Sequence, residues 1–165
     1  MKYYYLLLFT ITTLQTACYS QENRIFVDPT EKYEIEIPKE WTVKKLSGSN
    51  LLVRASGKSP VKFFTLVIAK SEISDLEQSY TDFVYKMSGS EGFKIIRQGE
   101  KIINDRKYKW FIESHKSRRN GLEETSYILF TNKEGKTLQV IMVADPQNLE
   151  IAKTQFDQIA ETLKY

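Results

Sequence analysis

Between positions 33 and 41 the chain reads Tyr-Glu-Ile-Glu-Ile-Pro-Lys-Glu-Trp. Tyr33, Ile35 and Ile37 alternate with Glu34 and Glu36, a period of two that sets apolar side chains on one face of a strand and carboxylates on the other. Pro38 lacks the N–H that a ladder needs and ends the strand, and Trp41 re-enters the core after a short bend. Further strands are predicted over 41–46, 51–55 and 61–70, with turn clusters at 47–50 and 56–60. Phe63, Phe64, Leu66, Val67, Ile68 and Ala69 form a nearly unbroken apolar run, which predicts a strand covered on both faces. A long strand over 93–103 turns at Asn104-Asp105-Arg106 into 107–115, where Tyr108, Trp110 and Ile112 alternate with Lys107, Lys109 and Phe111 and predict one buried face. Two more strands, over 127–131 and 137–144, meet at Glu134-Gly135, a pair suited to a tight hairpin.

Two segments switch to helical spacing. Ser74-Asp75-Leu76-Glu77 has the Ser-x-x-Glu form of a capping box, and Leu76, Tyr80, Phe83, Val84 and Met87 then share one face up to a stop at Gly89. Asp145-Pro146 is the expected start of a second helix, which buries Leu149, Ala152, Phe156, Ile159, Ala160 and Leu163. The expected class is α+β: an antiparallel sheet flanked by helices.

The first twenty residues stand apart. Lys2 precedes an uncharged, mostly apolar run over 3–14, then Gln15, Thr16, Ala17, Cys18, Tyr19 and Ser20, the layout of a secretory signal. Two processing routes fit. Thr16-Ala17-Cys18 resembles the lipobox of bacterial lipoproteins, with Cys18 lipidated, although Gln15 stands where that pattern prefers an aliphatic residue. Ordinary cleavage after Ser20 is the other. The expected organisation is a signal over 1–20, a tether and lead-in strand over 21–30, and one folded domain over 31–165, exported either as an envelope lipoprotein or as a soluble protein.

Composition narrows the chemistry. The 165-residue chain carries 24 basic and 21 acidic residues, a near balance that favours neither nucleic acid nor a strongly charged membrane surface. With one cysteine and one histidine, no intramolecular disulfide, cysteine-rich zinc site or imidazole pair can form. At 41% hydrophobic and 13% aromatic there is ample material for a core held by packing.

Phe26-Val27-Asp28-Pro29, the 33–41 stretch, the capped helix ending near Gly89, the hairpin from Ile103 to Trp110 and the closing helix with Phe156 and Ile159 together resemble the PsbP-like family over 26–165. The resemblance implies an α/β/α sandwich, mostly in exported or lipid-anchored binding and assembly proteins, whose functions include extrinsic subunits of the photosynthetic water-oxidising complex. No functional residue of that family can be placed on a matching position here.

Nothing in the sequence assembles a catalytic set. Ser114 and His115 point to opposite faces of a strand, which rules against a dyad. His115 reads as an exposed strand end, and Glu113, Glu123 and Glu124 as surface carboxylates. There is no phosphate loop, His-Glu-x-x-His motif or calcium loop, and no cofactor is expected. Lys116, Arg118 and Arg119 form the densest basic loop, able to meet an anionic partner. The expected function is a noncatalytic envelope protein that binds or assembles with another envelope protein. The alternative is a carrier of a small molecule or lipid headgroup, using a cleft of about 300 Å³ or more lined by Tyr80, Trp110 or Tyr127; a hydrolase stands behind both.

Overall fold

The computed structural model describes residues 22–46, 51–57 and 64–164. Cys18 and the expected signal lie outside the described residues, as do the expected turn at 47–50, most of the expected turn at 56–60 and the first residues of the strand expected over 61–70. The strands are β1 (Asn23–Asp28), β2 (Tyr33–Pro38), β3 (Thr42–Lys45), β4 (Leu51–Gly57), β5 (Phe64–Ser71), β6 (Lys94–Ile103), β7 (Arg106–Lys116), β8 (Glu123–Lys133) and β9 (Lys136–Ala144); the helices are α1 (Leu76–Ser88) and α2 (Leu149–Glu161).

Seven strands form one antiparallel sheet in the order β3-β4-β5-β9-β8-β7-β6, while β1 and β2 form a separate two-stranded sheet. The 33–41 stretch therefore does not open the main sheet, as the alternation suggested, but lies over it. Its apolar face is buried all the same: Ile35 and Ile37 are fully buried, Tyr33 and Trp41 2% exposed. A period of two fixes which side of a strand is apolar, not which strand it pairs with. The hairpin is tied to the end of α2 by a bridge between Glu34 and Lys164 and by Glu36 N donating to Thr162 Oγ1 at 2.8 Å.

On that side of the main sheet, β2 and α2 cover Leu66, Ile68, Tyr108, Ile112, Tyr127, Leu129, Val140 and Met142. From α2 come Ala152, Phe156, Ile159 and Ala160, with Leu163 beyond it, as the spacing predicted. On the opposite side α1 packs Leu76, Tyr80, Phe83 and Val84 against Phe111, Ile128 and Phe130. Helices thus lie on both faces of the sheet.

Four local expectations change. The N-cap of α1 is Asp75, whose Oδ1 accepts from Gln78 N at 2.7 Å, rather than Ser74. Asp75 holds the cap one residue later, and the Glu77 carboxylate, instead of reaching back, pairs with Lys109. Asp145 opens a 3-10 turn, Pro146–Asn148, and α2 begins only at Leu149. In β5, Leu66 and Ile68 are fully buried while Thr65 and Val67 are half-buried, so the two faces are not covered alike. In β7 both faces are covered, because Phe111 and Glu113 point toward the α1 side and are fully buried. Two hairpin turns follow their sequence signals: Asn104 and Asp105 have φ of 49° and 61°, Glu134 and Gly135 of 45° and 76°, both central residues being left-handed in each.

Candidate functional site

Trp110 and Tyr127 sit on neighbouring strands of the α2 side, their rings edge to face at 5.7 Å. Trp110 lies over Gly99, where a Cβ would come within 3.1 Å of the indole. The Tyr127 hydroxyl donates to Asp157 Oδ1 at 3.0 Å and accepts from Lys101 Nζ at 2.7 Å. Lys101 and Lys153 each reach Asp157 at 2.6 Å, one to each carboxylate oxygen. Burial works to raise the Asp157 pKa, but the two ammonium groups outweigh it and hold the carboxyl below its ordinary range. Burial, with the Asp157 charge beside it, pushes the Tyr127 phenol up. The polar atoms of this cluster are spent on one another, fastening α2 to the sheet.

Tyr80 is on the other side of the sheet. Its ring meets Phe111 and Phe130 edge-on at 5.3 and 5.5 Å, and its hydroxyl donates to Gln98 Oε1 at 2.7 Å. The sheet therefore separates Tyr80 from Trp110 and Tyr127, and the three do not line one cleft.

The basic loop follows β7. Lys116 is ion-paired with Glu91 and its backbone N donates to Glu91 O at 2.8 Å, so one of the three cations is already engaged. Arg118 and Arg119 are exposed. The loop closes through Ser117 N to Leu122 O and Gly121 N to Ser117 O, both 2.8 Å, with Gly121 at φ 71°.

The polar cluster that sequence reasoning missed lies just before this loop. Glu113 has no exposed surface, and both its carboxylate oxygens are 3.0 Å from His115 Nδ1. His115, expected at an exposed strand end, is only 14% exposed, and its Nε2 stands 3.9 Å from Glu124 Oε2. Across the ladder, Ser126 faces Glu113 and bonds to it, and Glu124 faces His115. Burial drives the Glu113 pKa up, against the Ser126 hydrogen bond and the imidazole. The available signal was parity: Phe111, Glu113 and His115 share a face, and an apolar Phe111 marks that face as covered. The cluster is a buried acid–base pair with the Ser126 hydroxyl bonded to its carboxylate, and among the described residues no group of three or more His, Cys, Asp or Glu side chains could hold a metal ion.

Two clefts flank the turn between β1 and β2. One of about 310 Å³ is lined by Val27, Asp28, Pro29, Lys32, Tyr33, Glu34 and Lys164; a smaller one of about 150 Å³ includes Glu31, Lys70, Glu134 and Lys136. Tyr80, Trp110 and Tyr127 line neither. Asp28 is 1% exposed; burial raises its pKa, but backbone N–H groups of Glu31 and Thr30 and the Lys45 ammonium hold it below the ordinary range.

An antiparallel sheet with a helix on each face and a hairpin beside the closing helix defines a PsbP-like α+β fold, and solved structures bear this out. The cyanobacterial PsbP protein CyanoP of Synechocystis sp. PCC 6803 aligns over 90% of this chain and 95% of its own, with a TM-score of 0.63 at 15% identity. LpqN of Mycobacterium tuberculosis, described as involved in cell envelope biogenesis, aligns over 87% and 90%, also at 0.63, with 12% identity. PA94 of Pseudomonas aeruginosa, a protein of unknown function and putative regulator, aligns over 87% and 96% at 0.53, with 17% identity. No protein-family model matches the chain, and no curated protein matches it in sequence. At these identities the likeness is one of fold. Among the described residues, no helix is long and apolar enough to cross a membrane.

Proposed function

We propose that this protein is a noncatalytic, exported cell-envelope module that binds or assembles with another envelope protein. The observation that carries this reading is the joining of a signal-type N-terminal segment, 1–20, to a PsbP-like fold shared with an envelope-biogenesis protein. Further support comes from the polar clusters: the Tyr127–Asp157 network is closed on itself, and the Ser126 hydroxyl beside the Glu113–His115 pair bonds to the carboxylate. In this reading Cys18 carries the lipid that holds the protein at the envelope, or cleavage after Ser20 releases it. The exposed Arg118 and Arg119 offer a partner an anion-seeking edge.

Affinity capture from solubilised envelopes, with the tag at the C-terminus, recovers a stoichiometric partner if the reading holds. Recovery of no partner, together with turnover of some substrate, overturns it. Mass spectrometry of the mature N-terminus separates the two routes: an acylated Cys18 marks the lipoprotein, and a free or cyclised Gln21 the soluble form. A carrier is the second reading, favoured by the cleft of about 310 Å³, a volume at the lower end of small-molecule sites.

A further inference from the structure

Among the described residues β1 pairs with β2 alone, so its other side is a sheet edge. Natural edges are guarded by charge, proline or a bulge because an open edge invites another strand. β1 instead shows large apolar side chains on its outer face, with Ile25 61% and Val27 57% exposed. Centred on Phe26 the strand reads Arg-Ile-Phe-Val-Asp. Run backwards, it repeats the same order of side-chain classes, with the charge reversed at its two ends.

We propose that β1 pairs antiparallel with β1 of a second copy of this chain, across a two-fold axis through Phe26. In that register Phe26 faces Phe26 once on the axis, while Ile25 facing Val27 and Arg24 facing Asp28 each occur twice by symmetry. The exposed residues, Ile25 and Val27, pack side by side across the two copies on one face of the joined sheet. On the other face the charges are complementary. A slip of one residue would set Ile25 against Phe26 and Arg24 against Val27, losing both matches.

Asp28 has acceptor capacity to spare but is 1% exposed, so the arriving guanidinium reaches it only by displacing part of its cover. Its Oδ1 is taken by Thr30 N, Glu31 N and Lys45 at 3.0, 3.1 and 3.2 Å, while its buried Oδ2 has no hydrogen-bond partner among the described residues. The same side chain lines the cleft of about 310 Å³ at this end of the strand. Arg24 is exposed, and its guanidinium donates to the Trp41 carbonyl of its own chain; its remaining donors are those that Arg24 of a second copy would bring to the carboxylate. Pairing along one six-residue strand is a small contact, so the association is weak and depends on concentration.

Sedimentation velocity of the purified protein over about a thousandfold range of concentration should show a reversible monomer–dimer equilibrium. Ile25→Glu and Val27→Lys each set a charge against an apolar side chain in the pair and weaken the dimer by about tenfold or more. Both positions face solvent in the monomer, so circular dichroism and thermal melting of each variant stay those of the parent. Mixing the two variants restores the dimer, because the substituted position 25 of one protein then lies opposite the substituted position 27 of the other. The reciprocal pair, Ile25→Lys with Val27→Glu, does the same. A protein that is monomeric at every concentration, as it would be if this edge takes a strand from a different protein, overturns the proposal. So does a dimer indifferent to both variants, or one that mixing fails to restore.

Discussion

The two sides of the seven-stranded sheet are built to different depths. On the α2 side, Ile35, Ile37, Leu66, Ile68, Val140, Met142 and Phe156 have no exposed surface, and Tyr33, Trp41, Tyr108 and Tyr127 are at 2% or less. On the α1 side, Phe111, Ile128 and Phe130 are fully buried, but the helical residues that cover them, Leu76, Tyr80, Phe83 and Val84, are only partly so. The difference lies in the number of covering elements. One side has a helix and a hairpin locked together through Thr162 and Lys164, and the other has one helix of thirteen residues. Charge follows the same division: the α2 side places Asp157 between two lysines near its rim, whereas the α1 side buries Glu113 against a single imidazole. Stability therefore resides mainly in the α2 side, and the α1 side has the room to change.

The contrast can be broken by measurement. Phe156→Ala or Trp41→Ala should each cost about 3–5 kcal/mol in urea unfolding, the range for removing a fully buried aromatic; a loss below ~1 kcal/mol at Trp41 would mean that its side chain faces solvent and would make it a binding candidate. Phe83→Ala on α1 should cost less, about 1–2 kcal/mol, since Phe83 is only partly buried in the parent. Equal losses at Phe83 and Phe156 would abolish the distinction between the two sides. Asp157→Asn should cost about 1–2 kcal/mol at pH 7 through weakened charge-assisted hydrogen bonds, given that the group is 25% exposed. Its carboxyl titrates below its unfolded value, so the stabilisation is present above that value and is lost as pH falls through the folded one. The variant should accordingly lose less stability than the parent as pH falls through and below the ordinary carboxylate range, in acid titrations followed by fluorescence.

Glu113 should behave in the opposite sense and by the smallest amount. Its folded pKa is raised, so it favours the folded state below the unfolded value and that contribution disappears as pH rises through the folded one. Glu113→Gln, which imitates the protonated form, should be more stable than the parent at pH 7, with the gap closing on acidification. A variant that is less stable at pH 7 would show that the His115 contact outweighs burial.

Strands and hairpins were legible because their signals are local. Alternation marked Tyr33, Ile35 and Ile37, and Asn104-Asp105 and Glu134-Gly135 can take the left-handed turn that two-residue hairpins need. Helical spacing likewise picked out Ala152, Phe156 and Ile159. What was not legible depends on partners distant in sequence. Nothing within 33–41 says that β2 pairs with β1 and bridges to Lys164 rather than joining the main sheet. Glu113 and His115 share a strand face by parity, yet only the placement of α1 over Phe111 makes that face an interior. Trp110 and Tyr127 were singled out as aromatic residues that could line a cleft, a description that fits a ligand site and a closed internal network equally well.

The position of β9 between β5 and β8 sets an order of assembly. Strands β3, β4 and β5 form one block and β6, β7 and β8 another, and each can pair within itself as soon as it is made. Neither block touches the other through the sheet until β9 lies between them, bonded from Thr65 through Ser71 on one side and from Thr125 through Lys133 on the other. A chain emerging from its N-terminus thus carries two unfinished half-sheets with open inner edges until nearly its last residues appear, the kind of exposed state in which aggregation competes with folding. The keystone is the last strand made, and a chain that stops short of β9 lacks not a fringe element but the middle of its sheet.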